Sequence, residues 1–264
     1  MMKAEEYRMF EQKYIEYAEP YFLKSAKLEG GLRIKFDHSF RVKNRMIEII
    51  DIDHESGYEF DKCLASAIGL YHDIGRYRQL FEYGTFKDSD SVDHGDLGYE
   101  VIKQEGVLSE LSEIEEQIFL LSVKYHNKKF IPSGLLKDAY PYIKLLRDSD
   151  KIDVYPVMLD SFEEKNLFTK KIVHLGLEES EKISEEIFDD VIHERLPDKE
   201  AMKTITDFKV LLLGWIFDLN YRGSFIILKD LDLLNRLIQS LPDSSKASVI
   251  KGKIYSYLDK ALKQ

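Results

Sequence analysis

The amino-acid sequence predicts an all-α protein, and three observations carry that expectation. Apolar residues recur at three- and four-residue spacing along most of the 264 positions. No segment keeps the strict apolar–polar alternation of a half-buried strand. Pro and Gly fall between helix-length segments, and no internal repeat or low-complexity tract interrupts the pattern.

The elements follow in chain order. Residues 4–28 read as a first helix, with Pro20 as a kink or break and Gly30-Gly31 punctuating its end. Val42, Met46, Ile49 and Ile50 form a helical stripe over about 38–51, so that His38 would open that helix. Phe60, Leu64, Ala67, Ile68 and Tyr71 do the same for a helix ending near His72-Asp73. Gly75, Gly84 and the polar run 87–91 make residues 74–91 read as loop-rich. Asp93 is placed to cap a helix running to about 105. Ile114, Ile118, Leu121 and Tyr125 define another that carries His126 at its end. Pro132-Ser133-Gly134 breaks the chain, Tyr142 to about Asp153 is helical, and Pro156 closes that helix. Further helices are expected near 178–193, 199–220, 229–240 and 246–262. The division expected is a core over 1–155 and C-terminal helices over 156–264 packed on it within the same domain.

Composition excludes several classes of function. A net charge of −10 argues against a nucleic-acid platform, which needs clustered Lys and Arg, but leaves room for a small phosphorylated substrate in a locally basic pocket. No apolar run approaches about 18 residues, so no membrane span is expected. The charged start MMKAEEYRMFEQKY is unlike a signal peptide. A single cysteine, Cys63, rules out an intramolecular disulfide and reads as a small buried hydrophobe. Together these point to a cytoplasmic protein.

The chemistry concentrates between residues 38 and 150. Neighbours in mid-helix point about 100° apart, so His72 and Asp73 can reach one metal ion only at a helix end. His38 precedes them by 34 positions, room for one helix, a turn and a second, antiparallel helix. Downstream, Arg147-Asp148-Ser149-Asp150-Lys151 sets acids into an apolar helix, which is costly unless a cation answers them. Imidazole with carboxylate and no thiolate suits Fe, Mn, Zn, Ni or Co.

With His38, His72-Asp73 and Asp150 in that order, the chain resembles the HD superfamily of metal-dependent phosphohydrolases, whose signature is H…HD…D. The resemblance covers about residues 33–155 and implies an HD-type helical bundle with additional C-terminal helices. Ser149-Asp150-Lys151-Ile152 fits the context of the family's last ligand better than Asp148, which stays as the fallback. Relatives with two metals add two histidines in this interval. By that resemblance one ion is held by His38, His72, Asp73 and Asp150, and a second by His94 and His126 with Asp73 bridging. The chain lacks the His-His and Gly-Tyr-Pro pattern of the cyclic-di-GMP-degrading branch and an alarmone synthetase domain.

Two divalent ions about 3.5–4 Å apart would generate a metal-bound hydroxide and polarise a phosphoryl oxygen, with His72 and Asp73 at the centre of catalysis. Arg76, Lys124, Lys128 and Lys151 are the candidate phosphate ligands, Arg76 being equally placed to brace a ligating carboxylate. Residues 78–86 are placed to wall the pocket. The expected function is hydrolysis of a phosphate ester or anhydride, a nucleotide or related small metabolite. The alternatives are a mixed-valent diiron oxygenase with the same ligands, or a metal-binding sensory module without turnover. His54, His174 and His193 read as surface residues, the acids between Glu178 and Glu186 as a solvated face, and the stripe around Trp215 as core.

Overall fold

The structure, a computed structural model, describes residues 2–24, 26–54, 59–163 and 177–263. His174 lies outside them. The chain divides into two compact units, Met1–Asp150 and Lys151–Gln264. Among the described residues no β-strand forms, and the all-α expectation holds; Glu178 and Thr204 make an isolated parallel bridge.

In the first unit α1 spans Ala4–Lys24, α2 Ala26–Ile52, α3 Lys62–Tyr71, α4 Gly75–Tyr83, α5 His94–Glu105 and α6 Glu113–Tyr125. A further helix, α7, runs Ala139–Glu163 and supplies Asp150. α1 lies across α2 and α3, α2 against α3, α4 against α5, and α5 against α6. The core between them is aromatic: Phe10, Tyr14, Tyr71, Tyr77 and Phe119 are fully buried, and the Tyr14 and Tyr77 hydroxyls hydrogen-bond at 3.0 Å. Short side chains start the helices that matter. Asp61 accepts from Cys63 N and Leu64 N at the head of α3, Asp93 from Asp96 N at the head of α5, and Ser112 forms a capping box with Glu115 on α6. Cys63 sits in that capped first turn of α3 and is half-buried rather than core.

In the second unit α8 (Glu185–Ile192) packs on α9 (Ile205–Gly214) and α12 (Ser245–Ala261), while α10 (Arg222–Asp230) meets α11 (Leu233–Gln239) and α12. Asp207 organises one end of it: buried, it accepts from Ser184 N, Ser184 Oγ, Lys203 N and Thr204 N. Around Trp215 the stripe is core, Val210 to Leu213 and Ile216 being buried. Glu178, Glu179, Glu181, Glu185 and Glu186 are exposed, as a solvated face requires.

Several boundaries differ from the sequence-based expectation. Gly30-Gly31 lies inside α2, so His38 is in mid-helix. The glycines cost helix propensity, but a Cβ at Gly31 would stand 3.1 Å from Cε2 of Phe86, and Leu32 beside it is 1% exposed. Residues 74–91 are loop-rich only beyond Tyr83: α4 occupies Gly75–Tyr83, buries Tyr77 and Leu80, and stops at Gly84 with φ +69°, after which Asp88–Asp90 forms a 3₁₀ turn. α7 continues through Pro156 to Glu163, and α1 through Pro20. A proline removes one helical hydrogen bond, yet Ile152, Tyr155 and Leu159 around Pro156 are all buried and hold α7 together. The expected helix over 199–220 is α9 between two 3₁₀ turns, that over 178–193 shortens to α8, and that over 229–240 is the end of α10 followed by α11.

Candidate metal centre

His72 is the residue at which α3 ends, and the chain turns through Asp73 and Ile74 before α4 starts at Gly75. The pair therefore occupies a break between helices, where adjacent side chains can converge. His126 ends α6 in the same way. A helix leaves its last carbonyls without partners, and each of these histidines uses one: His72 Nδ1 donates to Gly69 O at 2.8 Å and His126 Nδ1 to Val123 O at 2.7 Å. A carbonyl can only accept, so Nδ1 carries the proton and Nε2 is left with its lone pair facing the site. His94 opens α5, and its Nδ1 donates to Asp88 Oδ2 at 2.7 Å.

Close helix contacts bring the rings together. A Cβ on Gly69 would lie 2.9 Å from Cα of Lys43, one on Gly75 would press into the His94 carbonyl oxygen and stand 2.6 Å from Gly98 N, and one on Gly95 would stand 2.8 Å from Lys124 O. The pairs α2–α3, α4–α5 and α5–α6 thus approach through glycine at the level of the ligands.

The six expected ligands meet. His38 Nε2 stands 3.0 Å from Asp150 Oδ1 and 3.3 Å from His72 Nε2. His94 Nε2 and His126 Nε2 are 3.1 Å apart. Asp73 lies between the two pairs with its oxygens divided. Oδ2 is 3.8 Å from His38 Nε2 and 3.6 Å from His72 Nε2, while Oδ1 is 3.4 Å from His94 Nε2 and 3.9 Å from His126 Nε2. His38, His72 and Asp150 form one group able to hold a metal, and His72, Asp73 and His126 another. Neither the fully buried Asp148 nor His94 belongs to either group.

Electrostatics prepare these groups for a cation. Burial pushes His94 down to about 4, helped by the Arg76 charge, and His126 down to about 4, helped by His72; burial lowers His72 as well. Burial alone would raise Asp73, but the Lys35 charge, with His72, Arg76 and His94, outweighs it and holds the carboxyl well below its usual range. The hydrogen bond from His38 does the same for Asp150 against burial. Neutral imidazoles beside ionised carboxylates are the protonation states that divalent metal binding needs. The donor set, imidazole nitrogen and carboxylate oxygen with no sulfur, fits a first-row divalent ion.

Among the cations, Lys35 Nζ bonds Asp73 Oδ2 at 2.7 Å, and Arg76 Nε lies 3.4 Å from Asp73 Oδ1. Arg76 is also tied down by Asp88, Gln79 Oε1 and the Phe86 carbonyl. Lys124 pairs with Asp96 at 3.7 Å and lies over the Tyr99 ring. Lys128 pairs with Asp93 and Asp96 at 2.7 Å each. Lys151 pairs with Asp218 in the second unit. His54 and His193 are surface residues bonded to their own helix turns. Sequence reasoning missed Lys35, although it stands one helical turn before His38, and missed Asp88, whose polar run reads as loop. It also missed Arg147, which donates to the carbonyls of Tyr125, His126 and Lys128 and so caps α6 where His126 leaves it.

The family described as HD domain matches residues 36–158. That span takes in His38, His72, Asp73, His94, His126 and Asp150. No curated protein and no solved structure matches the chain.

Proposed function

We propose, for a chain that carries an HD domain over residues 36–158, that it is a phosphohydrolase using two divalent ions on a phosphate ester or anhydride, a nucleotide or related small metabolite. The observation that carries this reading is the division of Asp73. Its Oδ2 faces His38 and His72 and its Oδ1 faces His94 and His126, the arrangement of a carboxylate shared between two cations. His38, His72 and Asp150 would hold one ion and His94 and His126 the other. Bound there, the ions supply Lewis acidity toward a phosphoryl oxygen and a water of lowered pKa.

The protein's own groups do the rest. The Nδ1 hydrogen bonds of His72, His94 and His126 fix ring tautomer and direction. Asp73 supplies charge to both positions. Lys35, partly exposed beside Asp73, offers a point charge to an anionic substrate. Arg76, bound on three sides, braces Asp73.

Chelator-stripped protein reconstituted with Mn²⁺ and assayed on an aryl phosphate and a nucleotide panel tests the reading. It should release phosphate only with metal, and His72→Ala and Asp73→Ala should each reduce that release to background. No release on any substrate would refute it, and dioxygen uptake by the iron-loaded protein in place of phosphate release would favour oxygen activation.

A further inference from the structure

His94 differs from His72 and His126 in how its ring is held. Those two stand at the ends of helices and bond the free carbonyl three residues back. His94 is the first residue of α5, so no earlier turn of its own helix offers a carbonyl. Its Nδ1 must find an acceptor elsewhere, and Asp88 Oδ2 receives it at 2.7 Å.

Asp88 is itself held. Its Oδ1 accepts from Arg76 Nη1 at 2.9 Å and Gln79 Nε2 at 2.9 Å, both on α4. Its Oδ2 is also 3.4 Å from Asn127 Nδ2, just beyond α6. Gln79, fully buried, reaches Ser91 Oγ at 2.9 Å and Val92 O at 2.8 Å as well, pinning the segment that leads into α5. The Asp88 side chain is 17% exposed, so its charge acts at low dielectric. A carboxylate accepting from the far nitrogen of a ligating imidazole fixes the tautomer, aims the ring and raises its basicity.

We propose that Asp88 is a positioning residue for the second ion: through His94 it sets the affinity of the His94–His126 position and leaves the His38–His72–Asp150 position unchanged. The inference rests on the two-ion reading. It also gives a role to the polar run 87–91, which the proposed reaction does not use.

Full-length wild type, Asp88→Asn and Asp88→Ala, stripped with chelator and dialysed against graded Co²⁺, provide the test. Bound metal is counted by elemental analysis and each position is followed by its visible absorption. Wild type should bind two equivalents. Asp88→Asn should keep the first unchanged and bind the second about 10–100-fold more weakly, and Asp88→Ala should lose the second at the same free Co²⁺. Circular-dichroism melting checks that the metal-free variants fold; should Asp88→Ala not fold, the near-isosteric Asp88→Asn decides. Two equivalents of unchanged affinity in Asp88→Asn would overturn the proposal and leave the two-ion reading standing, as would parallel loss of both equivalents from the folded variant. A single equivalent in wild type would overturn the two-ion reading and this proposal with it.

Discussion

At the scale of single residues, Asp73 and Lys35 define the electrostatics. A carboxylate 3% exposed is costly to keep ionised without a partner, and Lys35 at 2.7 Å supplies much of the compensation. Lys35 is one helical turn before His38 on α2, so the helix that brings a metal ligand also brings the cation that answers the same charge. A bound ion would take over that compensation. Removing Lys35 leaves the Asp73 carboxylate one hydrogen-bond donor short, so Lys35→Met should lower the stability of the metal-free protein by about 1–3 kcal/mol, and saturating Mn²⁺ should narrow the gap between variant and wild type. Denaturant titrations with and without metal measure both quantities. Equal stability of the two metal-free proteins would mean that Lys35 carries none of the Asp73 charge. His72, Asp73, His38 and Asp150 were legible in the sequence because order and residue type alone mark them. Asp88 and Lys35 were not, because an acid in a polar run and a lysine on a helix look like solvated surface until the fold brings them to His94 and Asp73.

At the scale of elements, close packing brings helix ends and two mid-helix positions together at the site. α3 and α6 deliver His72 and His126 at their last turns, α5 delivers His94 at its first residue, and α2 and α7 contribute His38 and Asp150 from within. Gly75 is where this arrangement has least room, against the His94 carbonyl and 2.6 Å from Gly98 N for any added Cβ. Gly75→Ala should force α4 from α5, destabilise the protein by about 1–3 kcal/mol, and separate Asp73 from His94. A thermal melt combined with metal titration checks this, and an alanine variant with unchanged melting temperature and unchanged metal binding would contradict it. The helices over 94–105 and 113–125 were readable, because the Asp93 cap of the first and the apolar spacing of Ile114, Ile118, Leu121 and Tyr125 in the second act locally. The start of α2, the whole of α4 and the passage of α7 through Pro156 were not. There Gly31, Gly75 and Pro156 carry the local signals of a break, and burial of Leu32, Tyr77, Leu80, Tyr155 and Leu159 overrides them.

At the scale of the molecule, residues up to 112 positions apart in sequence, His38 and Asp150, meet within the unit Met1–Asp150. Among the described residues of Lys151–Gln264 there is no group of side chains able to hold a metal. None of the described helices is long and apolar enough to cross a membrane. The net charge of −10 does not oppose an anionic substrate at a site where two divalent ions would reverse the local sign. On the proposed two-ion reading, Asp73 would be shared between the ions. Crystals of the full chain grown with Mn²⁺ and measured for anomalous scattering test it most directly. Two peaks are expected, one among His38, His72, Asp73 and Asp150 and one among His94, His126 and Asp73. A single peak, or two peaks not sharing Asp73, would contradict it.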